Sequence, residues 1–150
     1  MRKLELDNFI LYEYDESSNE HRDVILKIEI SDIKKYLGNL KYSISKINQR
    51  KEPGKFNMAF IAYYNNYPVG YISISYIEQT YQISYAILPQ YRRQNLGALL
   101  LEEFSEKMLK YENIEDLILK IQPDNIGSIK VAQLADYNKI DNTTYKRSKM

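Results

Sequence analysis

The 150-residue sequence contains no cysteine and no tryptophan, and it has a single histidine, His21. Without cysteine there is neither a disulfide framework nor a thiol nucleophile. One histidine cannot build a histidine-rich metal site, so we expect no metal cofactor. The sequence also lacks an apolar run near the ~20 residues of a membrane span, and its start lacks the apolar stretch of a signal peptide. We therefore expect a cytoplasmic protein that does not bind membranes.

Charge and composition are those of an ordinary globular protein. The chain has 21 Lys and Arg against 20 Asp and Glu, which leaves a net charge of +1. This balance provides no general attraction to nucleic acid, and we expect no nucleic-acid partner. The length suits one hydrophobic core, so we expect a single domain over residues 1–150.

Hydrophobic patterning alternates between the periods of strands and helices. Strands are predicted over residues 4–12, 58–64, 69–76, 81–88, 116–122, 137–140 and 143–149. Helices are predicted over residues 21–37, 40–49, 96–108 and 128–134, with Gly38-Asn39 separating the first two. The order β-α-α-β-β-β-α-β-α-β-β is that of an α+β fold with a mostly antiparallel sheet and one βαβ crossover.

The most informative stretch is residues 83–101, where an apolar strand leads through Pro89 and a basic loop into a helix. Such a turn suits a phosphate group, because the first N–H groups of a helix have no intrahelical partner and the helix dipole favours negative charge. The segment Pro89–Leu100, PQYRRQNLGALL, resembles the acyl-CoA pyrophosphate loop of the GNAT superfamily of acyltransferases, Gln/Arg-x-x-Gly-x-Gly/Ala. Asn95 replaces the usual first glycine, a mild departure because Asn tolerates positive φ.

A second motif lies downstream. The segment Ile121–Ser128, IQPDNIGS, is similar to the pattern Val/Ile-x-Pro-x-Asn-x-x-Ser of the same superfamily. Two motifs at family spacing carry more weight than either alone. The resemblance covers roughly residues 56–149 and is closest in motif style to ribosomal-protein N-acetyltransferases of the RimJ/RimL kind. It implies a single-domain GNAT fold whose sheet is flanked by helices and splayed between the fourth and fifth predicted strands.

The resemblance implies acetyl-CoA as co-substrate. Its pyrophosphate would lie on the backbone of the basic loop, its pantetheine arm would pair with the preceding strand, and its thioester oxygen would accept a hydrogen bond near Ile87. The implied cofactor-binding residues are Ala86, Ile87, Leu88, Arg92, Arg93, Gln94, Asn95, Leu96, Gly97, Ala98, Asn125 and Ser128. Asn125 could equally be an ordinary turn residue.

The residues that would transfer protons are less clearly marked. In many GNAT members a glutamate on the fourth strand begins the relay that removes a proton from the amine. This chain has Gln82 at that position. Glu78 is the nearest candidate base, although it could equally be a solvated turn residue. Ala132 stands where many members carry a tyrosine that protonates the leaving thiolate. By resemblance to the RimJ/RimL kind, Ser128 is the candidate acid, or alternatively a serine that caps its helix.

Two function classes follow. The first is an N-acetyltransferase that moves an acetyl group from acetyl-CoA to a primary amine by direct attack, with a small molecule or a protein amine as acceptor. The second is a non-catalytic module that holds CoA or a partner protein on the same fold. This alternative is kept open by the departures at Gln82, Asn95 and Ala132, and by Asp136, which lies where the family helix usually ends in Leu-Gly-Phe. GNAT relatives often form dimers, so the resemblance also implies a homodimer by analogy.

Overall fold

The computed structural model describes residues 2–31, 39–49 and 53–149. The strands in these residues are β1 Lys3–Glu5, β2 Ile10–Glu13, β3 Met58–Tyr64, β4 Tyr67–Ile77, β5 Thr80–Ile87, β6 Asp116–Lys120, β7 Asn138–Lys139 and β8 Thr144–Ser148. The helices are α1 Asn19–Glu29, α2 Leu40–Gln49, α3 Leu96–Leu109 and α4 Ile126–Leu134, with a 3₁₀ turn at Pro89–Tyr91. The predicted α+β class is confirmed. None of the described helices is both long and apolar enough to cross a membrane.

The strands form one eight-stranded sheet in the order β1-β2-β3-β4-β5-β6-β8-β7. Every neighbouring pair is antiparallel except β5 and β6. These two strands are parallel and pair only at Tyr81 with Leu117 and at Gln82 with Ile118. By contrast, β5 stays paired with β4 along its whole length, up to Ile87 opposite Gly70. The sheet is therefore splayed between β5 and β6, as the family resemblance implied.

The first predicted strand is wrong as a single element, because residues 3–13 form a hairpin. Lys3 pairs with Tyr12 and Glu5 pairs with Ile10. The Leu6 N–H donates to the Phe9 carbonyl at 2.8 Å, which closes the turn around Asp7-Asn8. Asp and Asn favour turns, a signal that the surrounding apolar residues hid.

The helical predictions hold except at the end of the first helix, which was predicted to run from residue 21 to 37 but ends at Glu29, with Ile30 as its C-cap. There the Ser31 hydroxyl donates to the Ile28 carbonyl, a local bond that competes with continuation of the helix. α1 begins after Ser18, whose hydroxyl accepts from the His21 N–H at 3.2 Å. Gly38, the predicted separator, lies outside the described residues. α4 begins two residues earlier than predicted, at Ile126, because Asn125 rather than Ser128 is its N-cap.

The sheet buries a different set of side chains on each face. α3 and α4 pack on one face, where Phe104 and Leu100 meet Phe60. α1 and α2 cover the other face, where Ile28 and Ile44 join Tyr71. β5 contributes to both because its side chains alternate. Its residues Ile83 and Ile87 face α3, and Ala86 faces α1 and α2.

Gly70 holds β4 and β5 together at the end of the sheet where β5 and β6 part. A Cβ atom at this position would lie only 2.2 Å from the Ala86 carbonyl oxygen, so no other residue fits. The close approach fixes Ala86 and Ile87 against β4. The edge of β5 that faces the gap is therefore rigidly supported.

Candidate functional site

A cavity of about 560 Å³ opens where β5 and β6 separate. Residues 82–85 of β5 and residues 119–122 at the end of β6 form two of its walls. Side chains of α2 line the cavity from one face of the sheet. Asn125 and Ser128, which belong to the second sequence motif, also line it. The cavity thus lies at the point where the splayed strands leave backbone groups without strand partners.

The backbone of β5 presents alternate residues to the gap. The Leu88 N–H donates to the Val69 carbonyl at 2.7 Å, so Leu88 is directed toward β4. Because alternate residues in a strand direct their N–H and C=O to opposite edges, Ile87 is directed toward β6. Of the predicted segment Ala86–Leu88, Ile87 is therefore the residue with backbone groups on the open edge. Its carbonyl accepts from Arg92 Nε at 3.0 Å.

The predicted phosphate loop leads from β5 into α3. Arg93 and Asn95 both adopt left-handed backbone conformations, with φ of 65° and 60°. Asn95 therefore takes the conformation that a glycine would supply at this position. It is also the N-cap of α3, yet its side chain makes no capping hydrogen bond. The N–H groups of Leu96, Gly97 and Ala98 lie in the first turn, where a helix offers no acceptor of its own.

The two arginines of the loop, both predicted to bind the cofactor, have different surroundings. Arg92 is half-buried and turned inward, donating through Nε to Ile87 and through a terminal guanidinium nitrogen to Ser31 Oγ at 3.2 Å. Ser31 donates in turn to the Ile28 carbonyl at 2.6 Å. Arg92 therefore ties the end of α1 to β5. Arg93 and Gln94 are exposed on the surface of the loop.

Gly97 lets the start of α3 lie directly over the site. A Cβ atom there would point inward, 3.5 Å from Ile87 Cγ1, 3.8 Å from Tyr85 Cε2 and 3.9 Å from Val131 Cγ2. These three neighbours come from β5 and α4. The two sequence motifs therefore meet around Tyr85.

The second motif forms the N-terminus of α4. Asn125 Oδ1 accepts from the Ser128 N–H at 3.3 Å, and the Asn125 N–H donates to the Gln122 carbonyl at 3.0 Å. Asn125 is therefore the helix cap and a turn residue, while it also lines the cavity. Ser128 does not cap the helix, so that alternative for Ser128 is wrong. Its side chain lines the cavity instead.

Tyr85 is a residue of the cavity wall that the sequence analysis did not select. Its hydroxyl oxygen is buried and has no hydrogen-bond partner among the described residues. Burial raises the pKa of Tyr85 to about 12, and the neighbouring Ser128 side chain offsets part of the rise. In the sequence, Tyr85 lies two residues from both Ile83 and Ile87, on the same face of the strand, and so resembles a core residue. The sequence signal that could have pointed to Tyr85 was Ala132, which stands where many members carry a tyrosine and so leaves that role to another residue.

The structure does not bring Glu78 into the lining of the cavity. Glu78 lies with Gln79 in the β4–β5 turn, with φ of 51° and 66°, and both are exposed. Gln82 does line the cavity, and its amide donates to Thr80 Oγ1 at 3.2 Å. Among the described lining residues the charged side chains are Lys46 and Lys120. The predicted base and the predicted acid, Ser128, therefore do not share this cavity.

A family model now accounts for this arrangement. The model of the acetyltransferase (GNAT) family matches residues 25–136, which include both motifs and the splayed strands. The chain belongs to the acetyltransferase (GNAT) family. No curated protein sequence matches the chain significantly.

Solved GNAT structures share the fold over nearly the whole chain. A GNAT-family acetyltransferase from Bacillus anthracis has a TM-score of 0.75 and 16% identity, covering 99% of both chains. RimL, a ribosomal L7/L12 α-N-protein acetyltransferase solved with coenzyme A, has a TM-score of 0.71 and 16% identity, covering 98% of both chains. The aminoglycoside acetyltransferase AAC(6')-Ib, solved with paromomycin and acetyl-CoA, has a TM-score of 0.73 and 14% identity, covering 95% of this chain and 94% of its own. At these identities the likeness is one of fold.

Proposed function

We propose that this GNAT protein is an N-acetyltransferase that moves the acetyl group of acetyl-CoA to a primary amine. The observation that carries the proposal is the gap between β5 and β6, bordered by the uncapped N-terminus of α3. An extended arm with amide groups fits such an edge, and an anionic group fits such a helix terminus. The two features together match the pantetheine and pyrophosphate of acyl-CoA.

The residues around the gap fit this ligand in separate ways. The N–H groups of Leu96, Gly97 and Ala98 would receive the pyrophosphate, with charge from the exposed Arg93. The Ile87 N–H lies on the open edge and would donate to the pantetheine arm or to the thioester oxygen. A cavity of about 560 Å³ falls in the usual range for small-molecule sites and would hold the thioester end with an amine.

We propose direct transfer, which agrees with the absence of cysteine nucleophiles from the sequence. The amine nitrogen forms a bond to the acetyl carbon while the carbon–sulfur bond breaks. The Ile87 N–H stabilises the oxygen as it becomes negative. Ser128 passes a proton to the departing sulfur, and the proton that the amine loses replaces it through water. Glu78 remains a candidate base, and from its exposed turn it would act through a chain of water molecules.

The wider expectations also stay as proposals. We propose that residues 1–150 fold as one domain, that the protein acts in the cytoplasm, and that two copies form a homodimer. Light scattering of the purified protein tests the last point, because a homodimer doubles the molar mass and a monomer does not.

A second candidate function is a non-catalytic module that holds CoA. The observation in its favour is that Glu78, the predicted base, stays outside the cavity. Both candidates bind CoA, so titration calorimetry with CoA tests what they share. A thiol-release assay with acetyl-CoA then separates them. Acceptors should include a peptide N-terminus, a free lysine, a polyamine and an aminoglycoside, and Gly97→Val supplies the control. Release of free thiol with one amine supports the enzyme, whereas CoA binding without release from any amine supports the module.

A further inference from the structure

The Tyr85 hydroxyl is buried beside the cavity and has no hydrogen-bond partner in the part of the chain that the structure describes. A buried hydroxyl normally finds a hydrogen bond, since removing it from water without one is unfavourable. Among the described residues that are not exposed, the Tyr85 hydroxyl oxygen is the one buried side-chain nitrogen or oxygen atom without a hydrogen bond. Unpaired groups of this kind need an explanation, and a ligand-dependent partner is one.

Two other buried tyrosines show the ordinary arrangement. The Tyr137 hydroxyl lies 2.6 Å from Ser105 Oγ, and the Tyr71 hydroxyl lies 3.0 Å from Ser73 Oγ. Each therefore pairs with a serine within the fold. Tyr85 and Ser128 line the same cavity, and the Ser128 side chain lowers the pKa of Tyr85, yet the two hydroxyls do not form a hydrogen bond here.

The surroundings of Tyr85 link it to both motifs. Its ring lies beneath Gly97 at the start of α3, and the ring shares that contact with Val131 of α4. Ser128 lines the cavity one turn earlier on α4. Tyr85 and Ser128 thus line one cavity from the sheet and from α4, and the Tyr85 hydroxyl oxygen is shielded from solvent.

We propose that Tyr85 is a positioning residue for Ser128. In the acyl-CoA complex the Tyr85 hydroxyl donates a hydrogen bond to Ser128 Oγ, and this bond directs the Ser128 hydroxyl toward the sulfur of the cofactor. A serine hydroxyl has three staggered side-chain rotamers, so a fixed donor behind it selects the productive one. The inference rests on the proposed function, in which Ser128 serves the departing sulfur.

The acid–base chemistry of the two hydroxyls suits a chain in which Tyr85 donates to Ser128 and Ser128 donates to the sulfur. Burial raises the pKa of Tyr85 to about 12, so its hydroxyl is protonated near neutral pH and can donate a hydrogen bond. A CoA thiol ionises near 8.5 by analogy with cysteine, so its thiolate is stabilised by a donated hydrogen bond. Tyr85 and Ser128 then act as one chain, and loss of either member removes the same stabilisation.

The test compares Tyr85→Phe, Ser128→Ala and the double variant with Tyr137→Phe as the matched control. The measured quantity is the ionisation of the thiol of bound CoA, followed by thiolate absorbance across pH, which needs no acceptor amine. One hydrogen bond corresponds to about fivefold in an equilibrium constant. We expect each single variant to weaken thiol ionisation by about fivefold, and the double variant to weaken it no further. Tyr137→Phe should leave it as in the wild type.

Thermal melting without ligand gives an independent readout. Tyr85→Phe removes a hydroxyl for which the described residues offer no hydrogen bond, so its melting temperature should equal or exceed that of the wild type. Tyr137→Phe leaves Ser105 unpaired and should melt at a lower temperature.

Wild-type thiol ionisation in Tyr85→Phe, or losses that multiply in the double variant, would overturn the proposal. Failure of the wild type to bind CoA would overturn the proposed function as well. CoA binding without turnover would count against the enzyme alone, since the thiol readout would still report on Tyr85.

Discussion

The sharpest prediction concerns Gly97, where alanine and valine should behave differently. The added Cβ of Gly97→Ala would lie 3.5 to 3.9 Å from its neighbours, which is ordinary contact. Alanine also favours a helix interior by up to about 1 kcal/mol over glycine. We therefore expect Gly97→Ala to fold with an equal or higher melting temperature. It should bind acetyl-CoA with nearly unchanged affinity.

Valine places two further carbons about 1.5 Å beyond the Cβ. These carbons overlap with Ile87, Tyr85 and Val131, which already surround the Cβ position. Overpacking of this kind costs about 1 to 3 kcal/mol and is relieved when α3 moves away from β5. The movement displaces the N–H groups at the start of α3. Loss of one hydrogen bond to a charged group corresponds to about 1.5 to 3 kcal/mol, so the dissociation constant should rise about tenfold to hundredfold.

The assay is titration calorimetry with acetyl-CoA on both variants, after circular dichroism has established the folded fraction. A folded Gly97→Val protein with wild-type affinity would refute the reasoning. Equal losses in Gly97→Ala and Gly97→Val would also refute it, because the effect would then not come from packing under the helix.

Three further predictions follow from particular side chains. Arg93→Ala should weaken acetyl-CoA binding, and the loss of affinity should be smaller at high salt because Arg93 is exposed. Arg92→Ala should mainly lower the melting temperature, because Arg92 ties α1 to β5. Calorimetry at two salt concentrations and a melting curve separate these effects. Ser128→Ala should reduce turnover about 10²- to 10⁴-fold with little change in acetyl-CoA affinity. The reduction should be smallest at high pH, where the thiolate leaves without a proton. Steady-state kinetics across pH test this, and full activity would exclude the role. Burial lowers the pKa of His21 below 6.5, and its Nδ1 accepts from the Asp15 N–H at 3.0 Å. The unfolded chain therefore takes up the proton first, so the stability due to neutral His21 is present above pH 6.5 and is lost as the pH falls below it. Urea unfolding of His21→Gln at pH 7.5 and pH 5 should show a smaller loss than the wild type, and an equal loss would contradict this.

Much of the fold was predictable because its signals are local. The turn at Asn65-Asn66 adopts positive φ at both residues, as a tight hairpin requires, and strands flank it where they were predicted. The loop before α3 and the Pro123-Asp124-Asn125 turn likewise depend on short sequence patterns. The gap between β5 and β6 was expected only through the family resemblance that these motifs carry.

The details of the site depend on contacts that are distant in sequence. Arg92 turns inward because Ser31, 61 residues away, and Ile87 offer acceptors. The Tyr85 hydroxyl lacks a hydrogen-bond partner among the described residues, which no pattern of apolar residues reveals. Glu78 was chosen for its nearness in sequence to Gln82, but the two-residue turn leaves it at the exposed tip of the hairpin.

The most direct test of the central claim is an amide NMR titration of the full chain with acetyl-CoA. If the ligand lies in the gap between β5 and β6, the largest saturable shifts should appear at Ile87, at residues 95–98 and at Ser128. A second cavity of about 750 Å³, bordered by β1, β2, His21 and Tyr63, provides an internal comparison and should show no saturable shift. Shifts confined to that second cavity, or no saturable shift at the start of α3, would contradict the account.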